Sequence, residues 1–177
     1  KDSVFVEKEM AMSVIYRLET KAANTPSSLD WVQVKTEIEK AVPGFDYSLL
    51  LLSHQVSFYQ SKKNWDQYGN YAIKYLEAPL LKKDLNKINE IVWNIFLHCS
   101  DAELLKKFIP WGRKAVELSN DNAAILDTYA QLLYKADKLY HIKTGEDYME
   151  MESRVAGLLH QEEIFSKMQR GLPTWEK

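Results

Sequence analysis

The chain has 177 residues, with 23 basic and 25 acidic side chains and a formal net charge of −2. Its 46% hydrophobic and 27% charged residues match an ordinary globular composition, and the balanced charge argues against a protein built mainly to hold nucleic acid. One cysteine excludes an internal disulfide framework and any Cys-x-x-Cys site, while only 6 Gly and 5 Pro argue against collagen-like, disordered or turn-dense all-β chains.

Helical periodicity dominates from the start. Val4, Ala11, Ile15, Leu18 and Ala22 recur on one helix face. Asn24-Thr25-Pro26 stops that helix, because proline disfavours helical geometry in the residue before it. Ser27 with Asp30 reads as a capping box for a second helix, whose buried face is Trp31, Val34, Ile38 and Ala41. Pro43-Gly44 ends it. Asp46 caps a third helix through Leu49, Leu52, Val56 and Tyr59. Asn64 with Gln67 opens a fourth, carrying Tyr68, Tyr71, Ala72, Tyr75 and Leu76 to Pro79. A fifth holds Leu85, Ile88, Val92, Trp93 and Phe96. Ser100 and Glu103 form the best capping box in the chain, and the helix they open contains Pro110, where a kink or break is expected. Asn120-Asp121-Asn122 turns into a helix marked by Leu126, Tyr129, Ala130 and Leu133. Further helices are expected over 139–152 and 158–169. The longest strongly apolar run, Leu49 to Leu52, is far shorter than the roughly 20 residues a membrane span needs. The chain begins at Lys1 and shows no signal-peptide order, as a processed or partial chain would.

Two offsets relate these helices. A shift of 40 residues lays Tyr68 on Phe108, Tyr71 on Trp111, Ala72 on Gly112 and Lys74 on Lys114. A shift of 33 lays Trp93 on Leu126, Phe96 on Tyr129 and Gly112 on Gly145. Both periods suit helix-pair solenoids, with small residues at 72, 112 and 145 where paired helices approach.

The segment Leu126 to Lys135 resembles the first helix of a tetratricopeptide-type repeat. Ala130 stands at its small-residue position, and Leu133 and Leu139 at its apolar ones; Ile142 replaces the usual Ala, and the closing proline is absent. The longer stretch Asn89 to Lys138, through Val92-Trp93, Trp111 to Leu118 and Asp127 to Ala130, is similar to the helical region that follows the thioredoxin fold in some exported bacterial proteins. That resemblance implies an accessory domain of a redox-family protein, exported or periplasmic. It implies no redox activity for this chain, which lacks Cys-x-x-Cys and the β-rich thioredoxin pattern.

Chemistry-bearing residues are few. Cys99, between His98 and Asp101, reads as a small apolar packing residue, since nucleophilic catalysis needs an oriented base and an oxyanion hole. His160, Glu162 and Glu163, with Glu146, Asp147 and Glu150 before them, form the densest metal-ligand cluster, but the di-metal Glu-x-x-His pattern is absent and a solvated face is the better reading. Lysine pairs at 62–63, 82–83 and 106–107 near turns could form a phosphate stripe, but no nucleic-acid motif accompanies them. Aromatics make up 12% of the chain. Trp65, Tyr68, Tyr71, Tyr75 and Trp111 are expected at contacts between pairs, with a concave partner surface as the functional reading.

The expectation is an all-α fold of about eight helices, in antiparallel pairs stacked as a short tetratricopeptide-like superhelix. It is expected as one helical domain over 1–177: capping helices over 1–45, three degenerate pairs over 46–152, and a closing helix and tail over 153–177. The expected function is a non-catalytic protein-interaction or scaffold domain without cofactor or metal. Its partner would be a protein or peptide, or a covalently linked thioredoxin-like domain; no nucleic acid and no membrane span are expected. The alternative is a small-ligand-binding domain, with an apolar pocket between the N-terminal helices and the first pair.

Overall fold

A computed structural model describes residues 2–23, 29–120, 122–160 and 162–176. Among the described residues the chain is all-α, with nine helices and no strand: α1 (Asp2–Ala23), α2 (Trp31–Ala41), α3 (Ser48–Ser61), α4 (Trp65–Leu76), α5 (Leu85–His98), α6 (Ala102–Leu118), α7 (Ala123–Tyr140), α8 (Tyr148–Leu159) and α9 (Glu163–Gln169). Helices next to one another in sequence pack together in most cases, as a helical-repeat fold requires. No helix among the described residues is long and apolar enough to cross a membrane. The helices fall into two compact units, 1–63 and 64–177.

The first unit packs α1 against α2 and α3. Its core is Ala11, Ile15, Val34 and Ile38, closed by an aromatic cluster. The Trp31 indole donates from Nε1 to the Tyr59 hydroxyl at 3.1 Å and stands edge-to-face with Phe58 at 5.5 Å. Val4, placed on the buried face by periodicity, is instead 60% exposed; burial on α1 begins at Ala11. The cap of α2 is Asp30, whose carboxylate accepts from the N–H groups of Val32 and Gln33. Ser27 and the stop at 24–26 lie outside the described residues.

The second unit is built around α7, which touches α5, α6 and α8. Every residue from Thr128 to Ala136 is buried. The expected equivalence of α4 and α6 appears in their burial: Tyr68 and Phe108 are fully enclosed, and Ala72 and Gly112 are buried. It appears on the surface too, where Lys74 lies 5.1 Å from the Tyr71 ring and Lys114 lies 5.0 Å from the Trp111 ring. A Cβ on Gly112 would meet Tyr129 Cδ2 at 2.5 Å, so α6 and α7 approach there as closely as a small residue permits. Gly69 serves the same end between α4 and α6, against Leu104.

Four local expectations are corrected. α6 runs unbroken through Pro110, because losing one backbone hydrogen bond is outweighed by burying Phe108, Ile109, Gly112 and Ala115 on its inner face. Its cap is Asp101, accepting from the Leu104 N–H at 2.6 Å, one residue past Ser100. The helix expected over 139–152 does not form as one piece: α7 continues to Tyr140 and His141 turns left-handed. Gly145, at φ +77, then lies in a loop with nothing within 4 Å of its Cβ position. The 33-residue repeat therefore fails at Gly145. Glu146 pins this loop, accepting from Arg113 Nη2 at 2.6 Å and from the Tyr129 hydroxyl at 2.7 Å.

Helix propensity favours alanine over glycine by about 1 kcal/mol. At Gly112 the Tyr129 ring, tethered by Glu146, cannot swing aside. Gly112→Ala is expected to destabilise the protein by about 1–3 kcal/mol in urea unfolding. Gly157→Ala in α8, where nothing lies within 4 Å of the new Cβ, is expected to raise stability by about 0.5 kcal/mol.

Candidate functional site

The five aromatics expected on a partner surface occupy four environments. Tyr68 is fully buried in the core, and burial raises its hydroxyl above the ordinary tyrosine range. Trp65 stacks on His98 at 4.0 Å with an interplanar angle of 13°. Tyr71 and Tyr75, four residues apart, share one flank of α4. Trp111 belongs to α6 and, with Pro110, Lys107 and Lys114, faces Ile73 of α4 and its capping residue Glu77 across a shallow groove of about 490 Å³. The walls of that groove are apolar and its rim carries two lysines and one glutamate.

A second groove, of about 600 Å³, lies between α1 and α3. It occupies the region where an apolar pocket was expected, but polar side chains share its lining: Glu19, Thr20, Ser53, His54, Ser57, Ser61 and Lys62, with the rings of Tyr16 and Phe58. Its central contact joins His54 Nδ1 to Glu19 Oε1 at 3.2 Å. These residues are 35 apart in sequence, and no local pattern marks either one.

Cys99 is 1% exposed at the end of α5. Its thiol lies 3.4 Å from the Asp101 carbonyl, and burial raises its pKa. Beside it lies a group that sequence reasoning missed. Lys135, 3% exposed, donates from Nζ to the carbonyls of Phe96 at 2.6 Å and Cys99 at 2.8 Å. Burial lowers its pKa. An unpaired-looking lysine inside an apolar helix pattern was the available signal.

Among the described residues no three metal-ligating side chains come together. His160 is an exposed left-handed residue at the end of α8, and Glu146 is engaged by Arg113 and Tyr129. The acidic pair that does meet is a different one. Glu152 of α8, 1% exposed, is hydrogen-bonded to Asp127 of α7, whose Oδ1 accepts from Gln131 Nε2 at 2.7 Å. Two carboxyls so placed share a proton. Burial, reinforced by the Asp127 charge, pushes Glu152 up to about 8, and burial also raises Asp127. The lysine pairs are all exposed; Lys62 lies over Phe58, and Lys107 borders the α4–α6 groove.

Comparison with family models, with curated proteins and with solved structures finds no match for this chain.

The acid pair sets the sign of a pH effect. Between its ordinary value of 4.5 and about 8, Glu152 has lost its proton in the unfolded chain and keeps it in the folded one. Stability contributed by this site therefore falls as pH rises through that window, by about 1.4 kcal/mol per pH unit for one carboxyl. Glu152→Gln keeps the shape and removes the proton equilibrium. Urea unfolding from about pH 5 to about pH 8 is expected to show a shallower loss of stability in the variant than in the parent, with the largest gain at the alkaline end.

Proposed function

We propose that this chain is a non-catalytic protein-interaction domain whose partner docks in the α4–α6 groove. The supporting observation is Trp111. It is half-buried beside Pro110 and Ile73 at the centre of an apolar groove, with Lys107 and Lys114 on the rim against the single carboxylate of Glu77. Such a surface favours a peptide segment with one bulky apolar side chain flanked by carboxylates: the apolar group fills the groove and the acidic flanks meet the lysines. The resemblance over 89–138 adds the context. The domain would serve an exported thioredoxin-family protein, as its scaffold or recognition element, with the dithiol chemistry carried elsewhere.

A second reading, small-ligand binding, is favoured by one observation: the α1–α3 groove encloses the half-buried Glu19–His54 contact and a row of hydroxyls. Packing alone does not call for that lining.

The first reading is tested with a peptide array spanning acidic-apolar, basic-apolar and neutral-apolar sequences, followed by titration of the best binders. Acidic-apolar peptides are expected to bind best. Trp111→Ala should weaken them by about 30-fold, the size expected of a central aromatic anchor. The double change Lys107→Glu with Lys114→Glu should move the preference to basic peptides, with the helical circular dichroism unchanged. Equal binding of all three peptide classes, or wild-type affinity in Trp111→Ala, would refute the docking site.

A further inference from the structure

The first turns of α1 carry an apolar surface that their own unit leaves uncovered. From Ser3 to Met10 every residue is exposed except Glu7, and burial starts at Ala11. Val4, Phe5, Val6 and Met10 all stand among the exposed large apolar side chains. Phe5, at 65%, is the most exposed aromatic ring of the described residues. Phe5 and Glu9 are one turn apart, on the side of α1 away from Ala11, Val14 and Ile15, and Val6 with Met10 forms the next strip. Two helical turns have little stability of their own and are ordinarily held by packing of an apolar face. Contiguous exposed apolar side chains among charged ones mark an interaction surface.

The α4–α6 groove calls for the same chemistry. Trp111, Pro110 and Ile73 make its apolar walls, with Lys107, Lys114 and Glu77 on the rim. The rim thus has two ammonium groups and one carboxylate. α1 brings the reverse over 7–9: the carboxylates of Glu7 and Glu9 and the ammonium group of Lys8. Other exposed apolar side chains fit less well. Leu80 stands beside Lys82 and Lys83, which the rim lysines repel. Leu158 and Leu159 end at His160, where the chain turns left-handed, so they offer aliphatic groups on the last turn of a helix and no ring.

We propose that the first turns of α1 of one copy dock in the α4–α6 groove of a second copy, with Phe5 against Trp111 and Glu9 toward the rim lysines. The proposal rests on the docking reading of that groove and names its partner, another copy of this chain bound as a helix in a groove. The aromatic pair supplies the anchor, and the charges fix which way the helix lies. The two surfaces are unlike, so each copy offers one of each. Two helical turns make a small contact, and the association is correspondingly weak. An acidic-apolar peptide and a second copy compete for one groove.

The test is sedimentation equilibrium of the whole chain from about 1 µM to about 1 mM. The parent is expected to self-associate. Phe5→Ser and Trp111→Ala are each expected to weaken association by at least about 10-fold. An equimolar mixture of the two is expected to form a dimer and stop there, because one variant keeps the groove and the other keeps the helix. Loss of fold in a variant cannot produce that recovery. Should Trp111→Ala lose helical circular dichroism, the double change Lys107→Glu with Lys114→Glu takes its place. A parent that stays monomeric, association retained in either variant, or a mixture no stronger than its components would overturn the proposal. The peptide array keeps the two levels apart. Acidic-apolar peptides bound through Trp111 by a chain that stays monomeric leave the docking reading standing and remove the second copy as its occupant. A monomeric chain that binds no such peptide removes both.

Discussion

The buried ammonium group of Lys135 is the constraint around which the second unit is organised. Taking a lysine out of water is costly unless its donors are matched. Here the last turn of α5 supplies the match: the carbonyls of Phe96 and Cys99, left without partners by the end of the helix, accept from Nζ. The rings of Phe96 and Trp175 lie 5.9 and 5.8 Å from the charge and complete its surroundings. One side chain thereby joins α7, the end of α5 and the C-terminal segment. It also sets the place of Cys99, whose carbonyl belongs to this cap. The residue is structural in consequence, and its burial leaves the thiol enclosed.

The same helix handles its acidic groups in another way. Asp127 is two turns before Lys135, about 12 Å along the axis, too far to share its charge across a turn that is already committed to α5. Asp127 and Glu152 solve the problem by holding a proton between them, with Gln131 donating to Asp127 Oδ1. α7 thus carries a matched cation at one level and a proton-sharing pair at another. The α7–α8 loop adds a third arrangement, in which Glu146 ties Arg113 of α6 to Tyr129 of α7. Each of the interfaces around α7 is fixed by a polar contact of its own set within apolar packing. Such contacts specify which helices meet, and at what register, more sharply than hydrophobic burial can.

Much of this was legible in the sequence where the determinant is local. The cap at Asn64, the buried face of α2 and the core positions Phe108 and Tyr129 follow from spacing within one helix or one period. The errors share a cause. Pro110 reads as a breaker until the buried face on both sides of it is counted. Gly145 reads as a packing glycine because its offset from Gly112 fits, whereas the loop is held through Glu146 by Arg113 of α6, 33 residues away. The partners of Lys135 and the pairing of Glu19 with His54 are invisible for the same reason, lying 36 to 39 and 35 residues apart. Aromatic content misled in a simpler way. Steps of three and four place residues on neighbouring faces of one helix, so Tyr68 turned to the core while Tyr71 and Tyr75 lie on its flank.

The 40-residue correspondence between α4 and α6 separates what packing demands from what it leaves open. Tyr68 with Phe108, and Ala72 with Gly112, fill equivalent interior positions, and any stacked pair of helices would need something like them. The lysine–aromatic stacks at 71–74 and 111–114 are different, because both lysines reach the surface and an exposed cation–π contact contributes only about 0.5–1 kcal/mol. The α4 copy is not among the residues that line the groove. The α6 copy borders it, beside Pro110. Proline on the outer face removes a backbone donor and leaves a rigid apolar ridge next to the Trp111 ring. A surface position that could carry any helix-forming residue thus carries the one least suited to a helix, on the wall of the groove that Trp111 lines. Helix stability does not account for that choice, and the docking surface proposed above would.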